Sequence, residues 1–164
     1  MEPIAFINAF LRVIHILAGA LWTGLAFAVA IYVVPAQLSA GRGGLAFIKA
    51  LYGETTFGRI FAIVGGATVL AGLLLYATGS ADRFSNLGNA VLGIGAAAGI
   101  AAAGHGSAVG KYAAQYHDAL VKNDGDTANG SIEAIGDKLR RNTRISFGII
   151  MVALFLMASA RYLP

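Results

Sequence analysis

The 164-residue chain contains no cysteine and few charged residues. The absence of cysteine excludes disulfide bonds, iron–sulfur clusters, thiolate metal sites and cysteine nucleophiles. Charged residues make up 12% of the sequence, which is about half of their share in a typical soluble domain. The three methionines and three histidines leave few side chains that bind soft or borderline metal ions.

Acidic residues are missing from the long apolar runs of the sequence, because all eight Asp and Glu residues lie between or beside those runs. Proton pumps and many coupled transporters use carboxylates inside the membrane, so this absence argues against that class. The sequence also has no phosphate-binding loop, no nucleophile elbow and no His-Glu-x-x-His motif. No complete catalytic set can be assembled from these motifs, which favours a non-enzymatic role.

Four long apolar runs hold most of the hydrophobic residues, which are 57% of the chain. They cover about residues 13–34, 60–78, 87–109 and 145–161, and about 20 apolar residues in a helix cross the hydrocarbon core of a bilayer. The first run is longer than the apolar core of a typical signal peptide. The sequence predicts an all-α integral membrane protein, in which residues 1–164 form one bundle of four helices within a lipid bilayer.

The third and fourth runs are predicted to continue beyond the bilayer. Residues 112–122 follow the third run without a glycine or a proline, and Ile132, Ile135 and Leu139 form an apolar helical stripe ahead of the fourth run. We therefore predict an antiparallel hairpin over about residues 111–144. A short amphipathic helix over about residues 45–52 is predicted to lie on the membrane surface.

Basic residues are distributed unevenly over the two sides of the predicted bundle. Nine of the 12 lie on the side of the hairpin, and Arg12, Arg83 and Arg161 lie on the side of the termini. Because basic loops stay in the cytoplasm, both termini are predicted to lie on the opposite side. In a membrane protein such residues contact anionic lipid, so we expect no nucleic-acid partner.

The third run is rich in glycine and alanine. Gly95 and Gly99 are spaced as G-x-x-x-G, as are Gly106 and Gly110, and such pairs let helix backbones approach closely. Two interpretations stay open. The glycines can serve packing inside the four-helix bundle, or they can form a docking face for a second copy or another membrane subunit.

Two histidines lie within the apolar runs, where ionisable side chains are costly and often functional. His15 shares one helix face with Gly19 and Trp22, because the offsets are four and three residues. His105 lies between two glycines, which leave space beside its imidazole for a flat ligand or a closely packed helix. His15, Trp22 and His105 are therefore candidate cofactor-binding residues, with the two histidines as candidate metal ligands. Purely structural roles are the alternative.

One haem held by both histidines is not expected. At about 1.5 Å per residue, His15 would lie about 3 Å and His105 about 27 Å below the outer edge of the membrane. Two axial ligands must bind opposite sides of one iron atom, so this separation is too large. A five-coordinate haem, two separate sites or a site shared between subunits stay open.

The first run, Arg12-Val-Ile-His15-Ile-Leu-Ala-Gly-Ala-Leu-Trp22-Thr-Gly24, resembles the opening helix of the copper-resistance-D-like group of bacterial membrane proteins. Residues 70–75 and 138–146 are similar to the same group. The resemblance implies a four-helix protein of the bacterial inner membrane, in which the side predicted for both termini from the basic residues is the periplasm. A related family, the membrane protoporphyrinogen oxidase of haem synthesis, has a histidine that matches His15. That family also relies on an intramembrane lysine, which none of the four runs contains.

Two functional hypotheses follow. The first is an accessory or scaffold subunit of a larger membrane complex, for example an electron-transfer complex, with other membrane subunits or further copies of the chain as partners. The second is a membrane redox protein that binds haem b or a metal ion through His15, with or without His105. The glycine-rich third run and the lack of buried acids favour the first, and the two histidines favour the second.

Overall fold

The computed structural model describes residues 3–79, 85–123 and 130–164, and every regular element in these ranges is a helix. Residues 80–84, which include Arg83, and residues 124–129 of the predicted hairpin lie outside the described residues. In chain order the elements are α1 (Pro3–Ala28), a π-helical turn (Val29–Val33), α2 (Val34–Ser39), α3 (Arg42–Lys49), a second π-helical turn (Ala50–Glu54), α4 (Phe57–Thr78), α5 (Leu87–Lys122) and α6 (Gly130–Ala160).

Four helical stretches are long and apolar enough to cross a membrane, namely Ile4–Ser39, Phe57–Thr78, Leu87–Lys122 and Gly130–Ala160. Large apolar side chains cover their outward surfaces, and Ile16 and Phe155 are 66% and 71% exposed. A water-soluble protein rarely leaves so much apolar surface uncovered, whereas a bilayer requires it. The predicted all-α membrane bundle is confirmed.

Helices α5 and α6 are longer than a bilayer crossing requires. At about 1.5 Å per residue, the 36 residues of α5 extend about 54 Å and the 31 residues of α6 about 46 Å, whereas the hydrocarbon core is about 30 Å thick. The excess length of both helices lies at the end where Tyr116 and Leu120 pack against Ile132 and Leu139. The antiparallel hairpin that was predicted beyond the bilayer is confirmed.

The first membrane helix is longer than the sequence predicted. It begins at Pro3 rather than near residue 13, and Ile4 and Phe10 extend its exposed apolar surface beyond Arg12. It also continues past Pro35, although proline lacks an N–H and its ring clashes with the carbonyl four residues earlier. The π-helical turn before Pro35 removes this conflict, because the Val34 N–H there bonds a carbonyl five residues back.

The short helix after the first membrane helix also differs slightly from its prediction. Helix α3 begins at Arg42, three residues earlier than expected, and it follows Gly41, whose φ of 53° is a conformation that glycine adopts without strain. Its location on the membrane surface stays a prediction.

The bundle consists of two closely packed helix pairs, α1 with α4 and α5 with α6. A buried cluster that includes Trp22, Val64, Ala102 and Ile150 joins the two pairs near the middle of the bundle. A second cluster joins them at the hairpin end, where Val34 packs with residues of α5 and α6. Helices α4 and α5 contact each other little. The two pairs therefore leave a gap at the end of the bundle where α4 ends and α5 begins.

Candidate ligand site between the helix pairs

Helices α1 and α4 pack closely because large side chains of α1 face glycines of α4. A Cβ atom on Gly72 would lie 2.8 Å from Cε1 of His15, and one on Gly65 would lie 3.2 Å from Nε1 of Trp22. Gly19 lies between these two contacts and also faces α4. The helix face that the sequence singled out, with His15, Gly19 and Trp22, is thus the face that α1 presents to its partner helix.

The imidazole ring of His15 is held by the backbone of α4. Its Nδ1 lies 2.8 Å from the carbonyl oxygen of Thr68. A carbonyl oxygen can only accept, so Nδ1 carries a proton and Nε2 of the neutral ring has a free lone pair. Within the described part of the chain, Nε2 makes no hydrogen bond. Histidines that bind metals in proteins are commonly fixed in this way, with the second ring nitrogen donating to a carbonyl.

A cavity of about 610 Å³ lies beside His15, in the gap between the two helix pairs. Ligand pockets in proteins range from about 300 to 1,000 Å³, so this cavity has the size of a small-molecule site. Its lining is mostly apolar, and α5 contributes the small residues Gly93, Ala96 and Ala97. No acidic side chain among the described residues lines it. The cavity therefore suits an apolar ligand that has a flat face.

Polar groups lie mainly toward one end of this cavity. Arg12 precedes His15 by three residues and so lies about one helical turn nearer the N-terminus on α1. Asn8 lies another turn along, where its Oδ1 accepts a hydrogen bond of 2.8 Å from the Thr78 hydroxyl. The exposed Arg12 guanidinium gives this end a positive charge. A ligand with an apolar body and an anionic end matches this distribution of polar groups.

Met157 of α6 forms part of the opposite wall of the cavity. A Cβ atom on Gly95 would lie 2.9 Å from Cγ of Met157, and a Cβ atom on Gly99 would lie 3.6 Å from its Cε. These two glycines therefore pack against α6 within the chain. In contrast, a Cβ atom on Gly106 or Gly110 would meet no atom of the described residues within 4 Å.

The structure does not bring the two candidate histidines together. His105 does not line the cavity, and its Nδ1 is buried without a hydrogen-bond partner in the described part of the chain. Trp22 is only 7% exposed and packs in the central cluster rather than against the cavity. Among the described residues no group of three or more His, Asp or Glu side chains is arranged to hold a metal ion.

Three residues of this site, Arg12, Gly72 and Met157, were not predicted from the sequence as site residues. The spacing of Arg12 and His15 was a usable signal, because residues three apart share a helix face. Nothing in the sequence singled out Gly72 or Met157. Their roles depend on which helices are neighbours and on the register between them, and neither property is encoded in a local pattern.

No family model, no curated protein and no solved structure matches this chain.

Proposed function

We propose that this chain is an integral membrane protein that binds haem b in the cavity between its two helix pairs, with Nε2 of His15 as an iron ligand. The observation that carries this proposal is a histidine with a fixed tautomer that lines an apolar cavity of about 610 Å³. Haem iron in proteins is commonly held by a histidine.

The residues around the cavity fit such a ligand. Haem b has a flat apolar macrocycle with two carboxylate groups at one edge. Gly93, Ala96 and Ala97 let a flat ring approach the backbone of α5, and the mostly apolar lining suits an apolar macrocycle. The guanidinium of Arg12 would pair with a carboxylate at the polar end, in a charge-assisted hydrogen bond.

Bound haem would supply reversible one-electron transfer between the ferric and ferrous states. The protein's own contributions follow from the structure. The Thr68 carbonyl keeps the proton on Nδ1 of His15, and the absence of a side chain at Gly72 lets the ring lie against α4. Both features hold Nε2 in one position, which favours a ligand bond that forms without reorganisation.

The test is an absorption spectrum of the protein purified gently from its own membrane, first oxidised and then reduced with dithionite. We expect a Soret band that sharpens on reduction, with about one haem per chain. His15→Ala should lose the haem. The matched control is His117→Ala, because His117 lies on the hairpin and, among the described residues, pairs with Asp118 at 3.4 Å. A wild-type protein without a Soret band would refute the proposal, as would haem that His15→Ala retains in full.

A second candidate function is an accessory or scaffold subunit that docks against other membrane subunits or a second copy. The observation that favours it is the space beside Gly106 and Gly110, where an added Cβ atom would meet no described atom within 4 Å. Small residues on an exposed helix face allow close helix–helix association in lipid. Gly110→Leu should leave the isolated chain folded and release any partner that co-purifies with it. Unchanged co-purification, or purification of a bare monomer, would argue against this role.

The resemblance of the first helix to the copper-resistance-D-like group supports a location in a bacterial inner membrane. The excess of basic residues on the hairpin side supports periplasmic termini. Fusion of alkaline phosphatase to the C-terminus tests the orientation, because that enzyme is active only in the periplasm. An inactive fusion, with an active one at the hairpin loop, would reverse the assignment.

A further inference from the structure

His15 and Met157 line the same cavity from different helix pairs. His15 is carried by α1, and its ring lies against Gly72 of α4. Met157 is carried by α6, and its side chain lies against Gly95 of α5. Each residue thus lies on a glycine of its own helix pair, and the cavity lies between the two pairs.

The two residues also lie at nearly the same depth in the bundle. His15 is level with Gly72, six residues before α4 ends at Thr78, which is about 9 Å along the helix. Met157 is level with Gly95, eight residues after α5 begins, which is about 12 Å along that helix. The end of α4 and the start of α5 lie at the same end of the bundle. The difference of about 3 Å is less than one helical turn.

The chemistry of the lining narrows the choice of a second ligand. Haem iron is held in proteins by His, Cys, Met or Tyr side chains. Among the described residues that line the cavity, those types are represented by His15, Tyr76 and Met157. Tyr76 belongs to α4 and so lies in the same helix pair as His15. Met157 is the residue that approaches from the other pair.

On this basis, and resting on the proposed haem site, we propose that the thioether sulfur of Met157 is the second axial ligand of the haem iron. The haem is then six-coordinate, with one ligand from each helix pair. The Met157 side chain packs on Gly95 and Gly99, because a Cβ atom at Gly95 would take the space of its Cγ. The ligand then also links the helix pairs at the end where α4 and α5 contact each other little.

The test uses Met157→Leu, which keeps a similar apolar volume but removes the sulfur. The control is Met151→Leu on the same helix, because Met151 is 42% exposed on the outer surface. The readouts are magnetic circular dichroism, which separates low-spin from high-spin iron, carbon monoxide binding and the midpoint potential. The wild-type protein and Met151→Leu should be low-spin in both oxidation states. Met157→Leu should keep its haem through His15, become high-spin and bind carbon monoxide rapidly. Its midpoint potential should fall, because a methionine ligand raises it.

A second variant separates coordination from packing. Met157→His offers a nitrogen ligand at the same position, so it should restore the low-spin spectrum while the potential stays below that of the wild type. If Met157→Leu keeps the wild-type spin state and potential while His15→Ala loses the haem, the methionine proposal is overturned and the haem site stands. If the wild-type protein carries no haem, both proposals fail together.

Discussion

The Nδ1–H of His15 donates a hydrogen bond to the backbone carbonyl oxygen of Thr68, 2.8 Å away across the α1–α4 interface. That carbonyl lies within α4, where its second lone pair can serve the helix itself. The Thr68 hydroxyl does not compete for the ring, because it donates to the Val64 carbonyl at 2.7 Å. The tautomer of the candidate iron ligand is therefore fixed by a backbone atom, which no side-chain substitution at position 68 removes.

The closest test of this arrangement is Gly72→Ala. The added Cβ would lie 2.8 Å from Cε1 and 3.1 Å from Nδ1 of His15, so the ring or α4 must shift, which disturbs the hydrogen bond to the Thr68 carbonyl. We expect a loss of about 1–3 kcal/mol in unfolding free energy, as for other overpacked sites, together with weaker haem binding. Circular dichroism in denaturant and haem content measure the two effects. Gly66→Ala is the control on the same helix, because its Cβ would meet no described atom within 4 Å. Equal behaviour of the two variants would contradict the positioning role of Gly72.

Trp22→Ala should destabilise the bundle without changing the haem spectrum. Trp22 is 7% exposed, packs in the central cluster and does not line the cavity. Removing a buried tryptophan typically costs about 3–5 kcal/mol in unfolding free energy. Circular dichroism should report the lower stability, and the absorption spectrum at low temperature should stay that of the wild type. A shifted Soret band in the folded variant would instead show that Trp22 contacts the ligand.

Arg12→Gln should weaken haem retention without removing the iron ligand. The guanidinium lines the polar end of the cavity, and a neutral amide there loses the charge-assisted bond to a carboxylate. We expect a several-fold rise in the dissociation constant and a weaker dependence on salt, measured by haem titration into the apoprotein. Arg161→Gln is the control, because Arg161 is exposed and its guanidinium lies 5.0 Å from the ring centre of Tyr162. The Arg12 proposal fails if both variants bind haem alike.

Gly136→Ala should affect the hairpin alone. A Cβ atom there would lie 3.0 Å from Cδ2 of Leu38 and 3.1 Å from Cε2 of Tyr116, where α6 packs against α2 and α5. We expect a lower unfolding temperature and faster proteolysis of the hairpin, with unchanged haem content, because the cavity lies at the other end of the bundle. Gly148→Ala, whose Cβ would contact no described atom within 4 Å, is the matched control. Haem loss in Gly136→Ala but not in the control would indicate coupling between hairpin and cavity.

The sequence by itself determined the membrane bundle and the extended hairpin. Both depend on local properties, because a spanning helix must satisfy its backbone hydrogen bonds internally and carry enough apolar length. Helical periodicity also predicted that His15 and Trp22 lie on one face of the first helix. The start of α1 at Pro3 does not follow from the apolar run that begins near residue 13, because Arg12 interrupts the apolar side chains that continue before it.

Only the tertiary structure determined which residues these helix faces pack against. Which glycine lies under His15, which helix carries the facing methionine, and where the cavity lies all depend on helix register between segments far apart in sequence. The π-helical turn that lets α1 continue past Pro35 also depends on the surrounding helices, because Val29 and Ala30 are buried against them. A bilayer requires each of the four spanning segments to be helical. It is equally compatible with many ways of packing the four helices. The register is set instead by contacts between large and small side chains, such as His15 on Gly72 and Met157 on Gly95.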